Sequence, residues 1–310
     1  MVNMINDKLV KKIIPNAVKY SLLNKLENSG FSRLKELKPV DFGDLVQCPV
    51  EALERSNKIP VLVNTPIAYC RSLRGVNFTC DHESGHPFIQ ALRIYSSTLC
   101  YVSARKKLIQ YYSSVQPRNV PELLGISDPS VFIKDLPAIC YQYPWDNTPS
   151  IKLEKYRKKE IIQEASGHGA PMQYEGWHHF GPVSNNKIDL ELIRLIKVFE
   201  SIKKNGYNRS GNIDGDICGV CLSHKNTTRT IITKGHHRIA ALSILGYKNV
   251  PIRYGVEETN VVNRSESNRW LSVINGIFSV DEANFVFDRI FKGIQPDVCK
   301  EYLAISDKLK

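Results

Sequence analysis

Hydrophobic positions repeat most regularly over residues 187–207. Leu192, Leu195, Ile196, Phe199 and Ile202 fall at three- and four-residue spacing, which lines them up on one face of a helix. Asn185 or Asn186 is placed to cap its start. Asp189 and Glu191 set negative charge in the first turn, and Lys203, Lys204 and Gly206 close the end. A second amphipathic helix is predicted over 281–292, with Ala283, Val286, Phe287 and Ile290 inward. Between the two helices the period changes. Thr228 to Thr233 is rich in strand formers, and Lys234-Gly235 breaks it. A helix then opens at His236, with Ile239, Leu242 and Leu245 on one side and Gly246 as its stop. Val250, Pro251 and Ile252 begin another strand. Upstream, residues 212–222 read as a turn at Asp214-Gly215 followed by a strand.

The first half of the chain reads as mostly helical. Leu9, Val10, Ile13 and Ile14 mark a basic helix limited by Pro15, docked on the protein rather than on a membrane surface. Ile59 to Val63 is a short strand candidate. Pro87 starts a helix with Phe88, Leu92 and Tyr95 as its apolar stripe. Gln116 to Asn119 breaks the helical pattern, and Pro121 to Gly125 is a short helix with a glycine stop. Residues 141–186 are irregular apart from a charged helical run at Lys152 to Glu160. Their content of aromatic, histidine and glycine residues (Trp145, His168, Trp177, His178, His179, Gly181) marks a candidate wall of a site. The pattern divides the chain into a mostly helical region at 1–140, an α/β region at 141–260 and a helical extension at 261–310. It shows no internal repeats.

Charge changes the picture. A net charge of +11 and a pI of about 9.2 favour phosphate-bearing partners: nucleotides, nucleic acid or an anionic membrane. No apolar run is long enough for a transmembrane helix, and no secretory signal is visible. Eight scattered cysteines in such a chain are expected to be reduced, which points to the cytoplasm.

Gly235-His236-His237-Arg238 is the chief chemical feature. A glycine turn at a helix N-terminus leaves backbone N–H groups unpaired at the positive end of the helix dipole, a ready anion site. Arg238 adds a planar charged fork, Lys234 a further cation, and the histidines donors or a general base. Two metal-like motifs are set aside. His82-Glu83-x-x-His86 carries Gly85 and precedes Pro87, so it does not sit inside a helix. Cys218-x-x-Cys221, with His224 nearby, lacks a second cysteine pair. No metal site is expected from either.

The whole unit GHHRIAALSILGYKNVPI resembles the motif of the ParB/sulfiredoxin-like superfamily: glycine, two variable positions and an arginine, an alanine-rich helix, a glycine, then a "VP" strand. The helix ending SIKKNGY is similar to the same pattern. The resemblance implies an α+β fold, a small mixed sheet with packed helices, with helical additions on both sides. His236 stands where sulfiredoxins have their cysteine, so that chemistry is not expected. In the free-serine kinases that the superfamily resembles, the glycine loop holds nucleotide phosphates with Mg²⁺. The resemblance therefore implies ATP or another nucleotide at Lys234, Gly235, His236, His237 and Arg238, and a small-molecule acceptor. The catalytic candidates are His237 and a carboxylate among Glu164, Glu175, Asp214 and Asp216. Lys234 departs from the aspartate that precedes the glycine in kinase-like members. A ParB-like DNA-binding nucleotide switch or nuclease is the alternative, although residues 255–310 show no basic recognition helix. A non-catalytic module for a phosphorylated ligand or a protein partner is the third reading.

Overall fold

The computed structural model describes residues 4–5, 32–33, 37–146, 153–209, 215–257 and 259–307. The predicted basic helix at 9–14 and the candidate Asp214 lie outside them. Met4–Ile5 and Ser32–Arg33 pair as a short parallel ladder of their own.

The architecture is mixed α/β. Eight strands make one mixed sheet: β1 Val40–Gly43, β2 Val61–Pro66, β3 Cys70–Ser72, β4 Phe78–Thr79, β5 Ile217–His224, β6 Thr227–Lys234, β7 Asn249–Tyr254 and β8 Val261–Asn263. Their order is β1-β2-β7-β5-β6-β3-β4, and β8 continues the pairing of β5 beyond β7. Four of the eight come from residues 40–79, in the region read from sequence as mostly helical, so the sheet draws on both sides of residue 140. β5 lies at the centre, and its first six residues are all buried. Such a continuous apolar run is what a strand covered on both faces requires. β5 and β6 form a hairpin through Lys225 (φ 47) and Asn226 (φ 61), the pair of left-handed residues a two-residue turn needs to match strand twist.

The described residues also form ten α-helices: α1 Pro49–Arg55, α2 Pro87–Thr98, α3 Tyr101–Ser114, α4 Val120–Leu124, α5 Leu153–Ser166, α6 Asn185–Asn205, α7 His236–Ile244, α8 Leu271–Ile274, α9 Val280–Lys292 and α10 Lys300–Asp307. α6 begins two residues earlier than its periodicity suggests. Ser184, not Asn185 or Asn186, is the cap, its Oγ accepting from the Lys187 N–H at 3.1 Å. Asp189 consequently lies beyond the first turn, where it binds Arg105 at 2.6 Å and ties α6 to α3. Leu192, Leu195 and Phe199 are 0%, 0% and 1% exposed, each contributing about 1.5–3 kcal/mol of burial. α2, α6 and α7 pack on one another, and α3 packs against α2 and α6. α9 buries Ala283, Val286, Phe287 and Ile290 as predicted, behind a Ser279–Glu282 capping box. No helix of the described residues is long and apolar enough to cross a membrane.

Candidate functional site

β6 leads into α7 through a single residue. Gly235 has φ 87, and a Cβ there would come within 3.2 Å of the Ile217 backbone. Glycine alone suits both demands. The first hydrogen bond of α7 runs from the Ile239 N–H to the Gly235 carbonyl, so the N-terminal end of the helix, with its partial positive charge, begins at the glycine turn. β3 runs parallel to β6, with Cys70 opposite Thr230 and Arg71 opposite Ile231, so the ends of both strands arrive together. Ser72 and Arg74 therefore lie beside Thr233 and Gly235, and Arg74 Nη2 donates to the Thr233 carbonyl at 3.3 Å.

The three side chains that follow Gly235 leave in three directions. His236 turns inward, its Nδ1 2.8 Å from Ser72 Oγ. His237 stacks on Phe88 of α2, with rings 4.9 Å apart and nearly parallel, and its Nε2 lies 2.9 Å from Glu191 Oε2 of α6. That last contact is close but not aligned as a hydrogen bond. Arg238 donates through Nη1 to the Asp216 carbonyl at 3.2 Å.

His178 and His179 meet His236 from the opposite side. Their backbone is held against α3 by two neighbouring tyrosines: the Tyr112 hydroxyl donates to the His178 carbonyl and that of Tyr111 to the His179 carbonyl. Gly181 then donates its N–H to the Val115 carbonyl at 2.8 Å. A Cβ on Gly181 would sit 1.9 Å from the Tyr112 carbonyl oxygen, so only glycine allows this close approach. The outcome is a buried group of three histidines, His178, His179 and His236, whose ligand atoms lie within 4.8 Å of one another. Among the described residues it is the one cluster of histidine, cysteine or acidic groups shaped to hold a metal ion. His179 Nδ1 is buried without a hydrogen-bond partner.

Burial sets the charge states. Desolvation pulls the His178 pKa down to about 4, with Glu191 and Glu164 opposing the shift. Desolvation and neighbouring positive groups, Arg74 among them, hold His179 and His236 well below the usual histidine range. All three are neutral imidazoles near pH 7. Glu191 is 0% exposed, and burial alone would raise its pKa; His237, His178 and Lys187 outweigh this and hold it well below the usual carboxylate range. Lys187 Nζ lies 2.8 Å away and Arg194 Nη1 3.2 Å away. The site thus has a neutral histidine side and an anionic carboxylate side, joined by His237.

The structure brings together only some of the residues proposed from sequence. Gly235, His236 and His237 lie at the head of α7, with Lys234 exposed beside them. Glu164 is exposed on α5, within electrostatic reach of His178. Glu175 Oε1 accepts from Gln173 and Asn186, bracing the start of α6. Asp216 is buried between Arg209 at 2.8 Å and Arg253 at 3.2 Å, an internal ion-pair group. His82 is exposed against Glu83, whereas His86 is buried and caps α2 by accepting the Phe88 N–H, so the H-E-x-x-H histidines part company. Cys218 and Cys221 are buried in β5; desolvation pushes the Cys218 thiol up to about 12 and Cys221 still higher.

Ser72, Arg74 and Glu191 enter the site without having been singled out for it. For Glu191 a signal existed: it falls among Ile188, Leu192 and Leu195 on the buried face, four residues after Lys187. No family model, no curated protein and no solved structure matches the chain.

Proposed function

We propose that the protein is a cytoplasmic nucleotide-dependent phosphotransferase whose phosphate-binding loop is the Gly235 turn at the head of α7. The observation that carries this reading is the junction of two features at one place: a glycine turn at the N-terminus of α7, and a histidine, His237, set against a buried carboxylate, Glu191. The likeness of the GHHR unit to the ParB/sulfiredoxin-like superfamily supports the same reading. Arg74 and Lys234 add positive charge beside the turn. A phosphate group fits this surrounding.

A protein-held Mg²⁺ does not fit it. Among the described residues, Glu191 is engaged by Lys187 and His237, Asp216 by Arg209 and Arg253, and Lys234 occupies the position before the glycine. Any Mg²⁺ would come with the nucleotide, and no step is assigned to it here. His237 takes the proton of the acceptor hydroxyl while that oxygen bonds to phosphorus and the leaving phosphate oxygen departs. Glu191 Oε2 faces the Nε2 edge of the ring at 2.9 Å, which leaves Nδ1 to exchange the proton. The net charge of +11 favours a second reading, in which the phosphate belongs to nucleic acid and the protein is a ParB-like switch or nuclease.

Thermal unfolding with ATP, ADP, CTP and GTP, each with and without Mg²⁺, tests the first reading. A nucleotide at about 100 times its Kd should add roughly 2.7 kcal/mol of stability. His237→Gln should keep that gain and lose phosphate transfer followed by phosphorus NMR. A parent protein indifferent to every nucleotide but stabilised by DNA would move the reading to the second class. Stabilisation by neither would leave a binding module.

A further inference from the structure

We propose that His178, His179 and His236 together bind one divalent transition-metal ion of the Zn²⁺ class. The inference stands on the histidine cluster alone and does not depend on the nucleotide reading.

Three features carry it. The first is the donor set. Three imidazoles and no carboxylate suit Zn²⁺, Co²⁺, Ni²⁺ or Cu²⁺, and do not suit Mg²⁺ or Ca²⁺. Three protein ligands also leave one tetrahedral position open, as in catalytic rather than structural zinc sites. The second is the unsatisfied atom. His179 Nδ1 is buried with no partner, a condition that costs about 1–3 kcal/mol and that a metal bond would relieve. The third is the support around the ligands. Ser72 Oγ engages His236 Nδ1 at 2.8 Å, which fixes the ring and leaves Nε2 for the ion. Tyr111 and Tyr112 fix the backbone of the other two.

The distances fit with small motions. Ligand atoms spread over up to 4.8 Å must close to about 3.3 Å for tetrahedral bonds of about 2.05 Å. Arg74, bound to the Thr233 carbonyl beside the cluster, adds positive charge there, which favours an anionic oxygen as the fourth ligand, hydroxide or an oxygen of a phosphate ester.

Metal content and cobalt spectroscopy on the full chain test the site. Zinc added and then dialysed should remain at one equivalent per chain. Co²⁺ should give visible ligand-field bands without the near-ultraviolet band of a sulfur–cobalt bond, since the eight free cysteines are the competing sites. His179→Gln should weaken Co²⁺ binding by more than about 100-fold. His236→Asn, which keeps a polar partner for Ser72, should do the same if the first variant fails to fold by circular dichroism. His82→Gln and His224→Gln should leave binding unchanged. Absence of retained Zn²⁺ and Co²⁺, a sulfur–cobalt band, or equal affinity in the folded histidine variants would each overturn the proposal.

Discussion

Arg289 of α9 is only 4% exposed, and each nitrogen of its guanidinium donates to a carbonyl: Nε to Leu124, Nη1 to Val76 and Ile294, Nη2 to Gly75. The histidine group at the head of α7 is equally buried, yet His179 Nδ1 has no partner and no carboxylate stands among the three rings. Both are polar clusters removed from water. The arginine uses every nitrogen in four hydrogen bonds, and what it does is join α9 to the end of α4 and to the loop after β3. In the histidine group Ser72 holds His236, but one ring nitrogen of His179 is left with no hydrogen-bond partner. Native interiors leave few buried polar atoms unpaired, so an orphan in a cluster of metal-capable groups points to something that binds there.

Breaking the arginine cluster should give the largest effect. Arg289→Met leaves four carbonyls dry and should lower stability by about 3–5 kcal/mol, read from the urea midpoint at unchanged slope. The matching change in the other cluster, His179→Gln, should cost less than about 1 kcal/mol in metal-free buffer. If the two cost the same, the distinction between structural and functional burial fails here.

Gly235→Ala comes next. The left-handed φ costs a side chain about 1–2 kcal/mol, and the new Cβ presses on the Ile217 backbone. Loss of nucleotide-dependent stabilisation should accompany it, because the N–H groups of α7 are displaced.

The last effect is absent near neutral pH and grows only on acidification. Desolvation lowers the His86 pKa to about 3, below the ordinary 6.5. The unfolded chain therefore takes up a proton that the folded chain refuses, and stability falls as pH drops from about 6.5 towards 3. His86→Asn keeps a good helix cap and removes this titration, so the slope of stability against pH should flatten over that range, measured by denaturant unfolding. An unchanged slope would mean that the other buried histidines carry all of it.

The elements that could be read from sequence are those whose signal is local. α6, α7 and α9 announce themselves by helical spacing, and β6 and β7 by strand formers between glycine breaks. The strands at residues 40–79 were largely hidden. β3 and β4 are only three and two residues long, too short for a period, and β3 pairs with β6 far along the chain. Composition alone marks residues 141–186 as a candidate site wall, and His178 and His179 of that stretch meet His236 in the buried cluster. Their meeting with His236 depends on Tyr111, Tyr112 and the bare backbone of Gly181, contacts that no sequence spacing encodes. Glu191 was read as a helix-dipole charge, although its place within the apolar stripe predicts burial and therefore a partner.

Whether the histidine cluster at the head of α7 is where ligand binds can be seen in crystals grown with Zn²⁺ and inorganic phosphate, measured on both sides of the zinc absorption edge. One strong anomalous peak is expected between the rings of His178, His179 and His236, with phosphate oxygen completing the coordination. An empty cluster, with zinc found instead at surface groups or cysteines, would rule the site out.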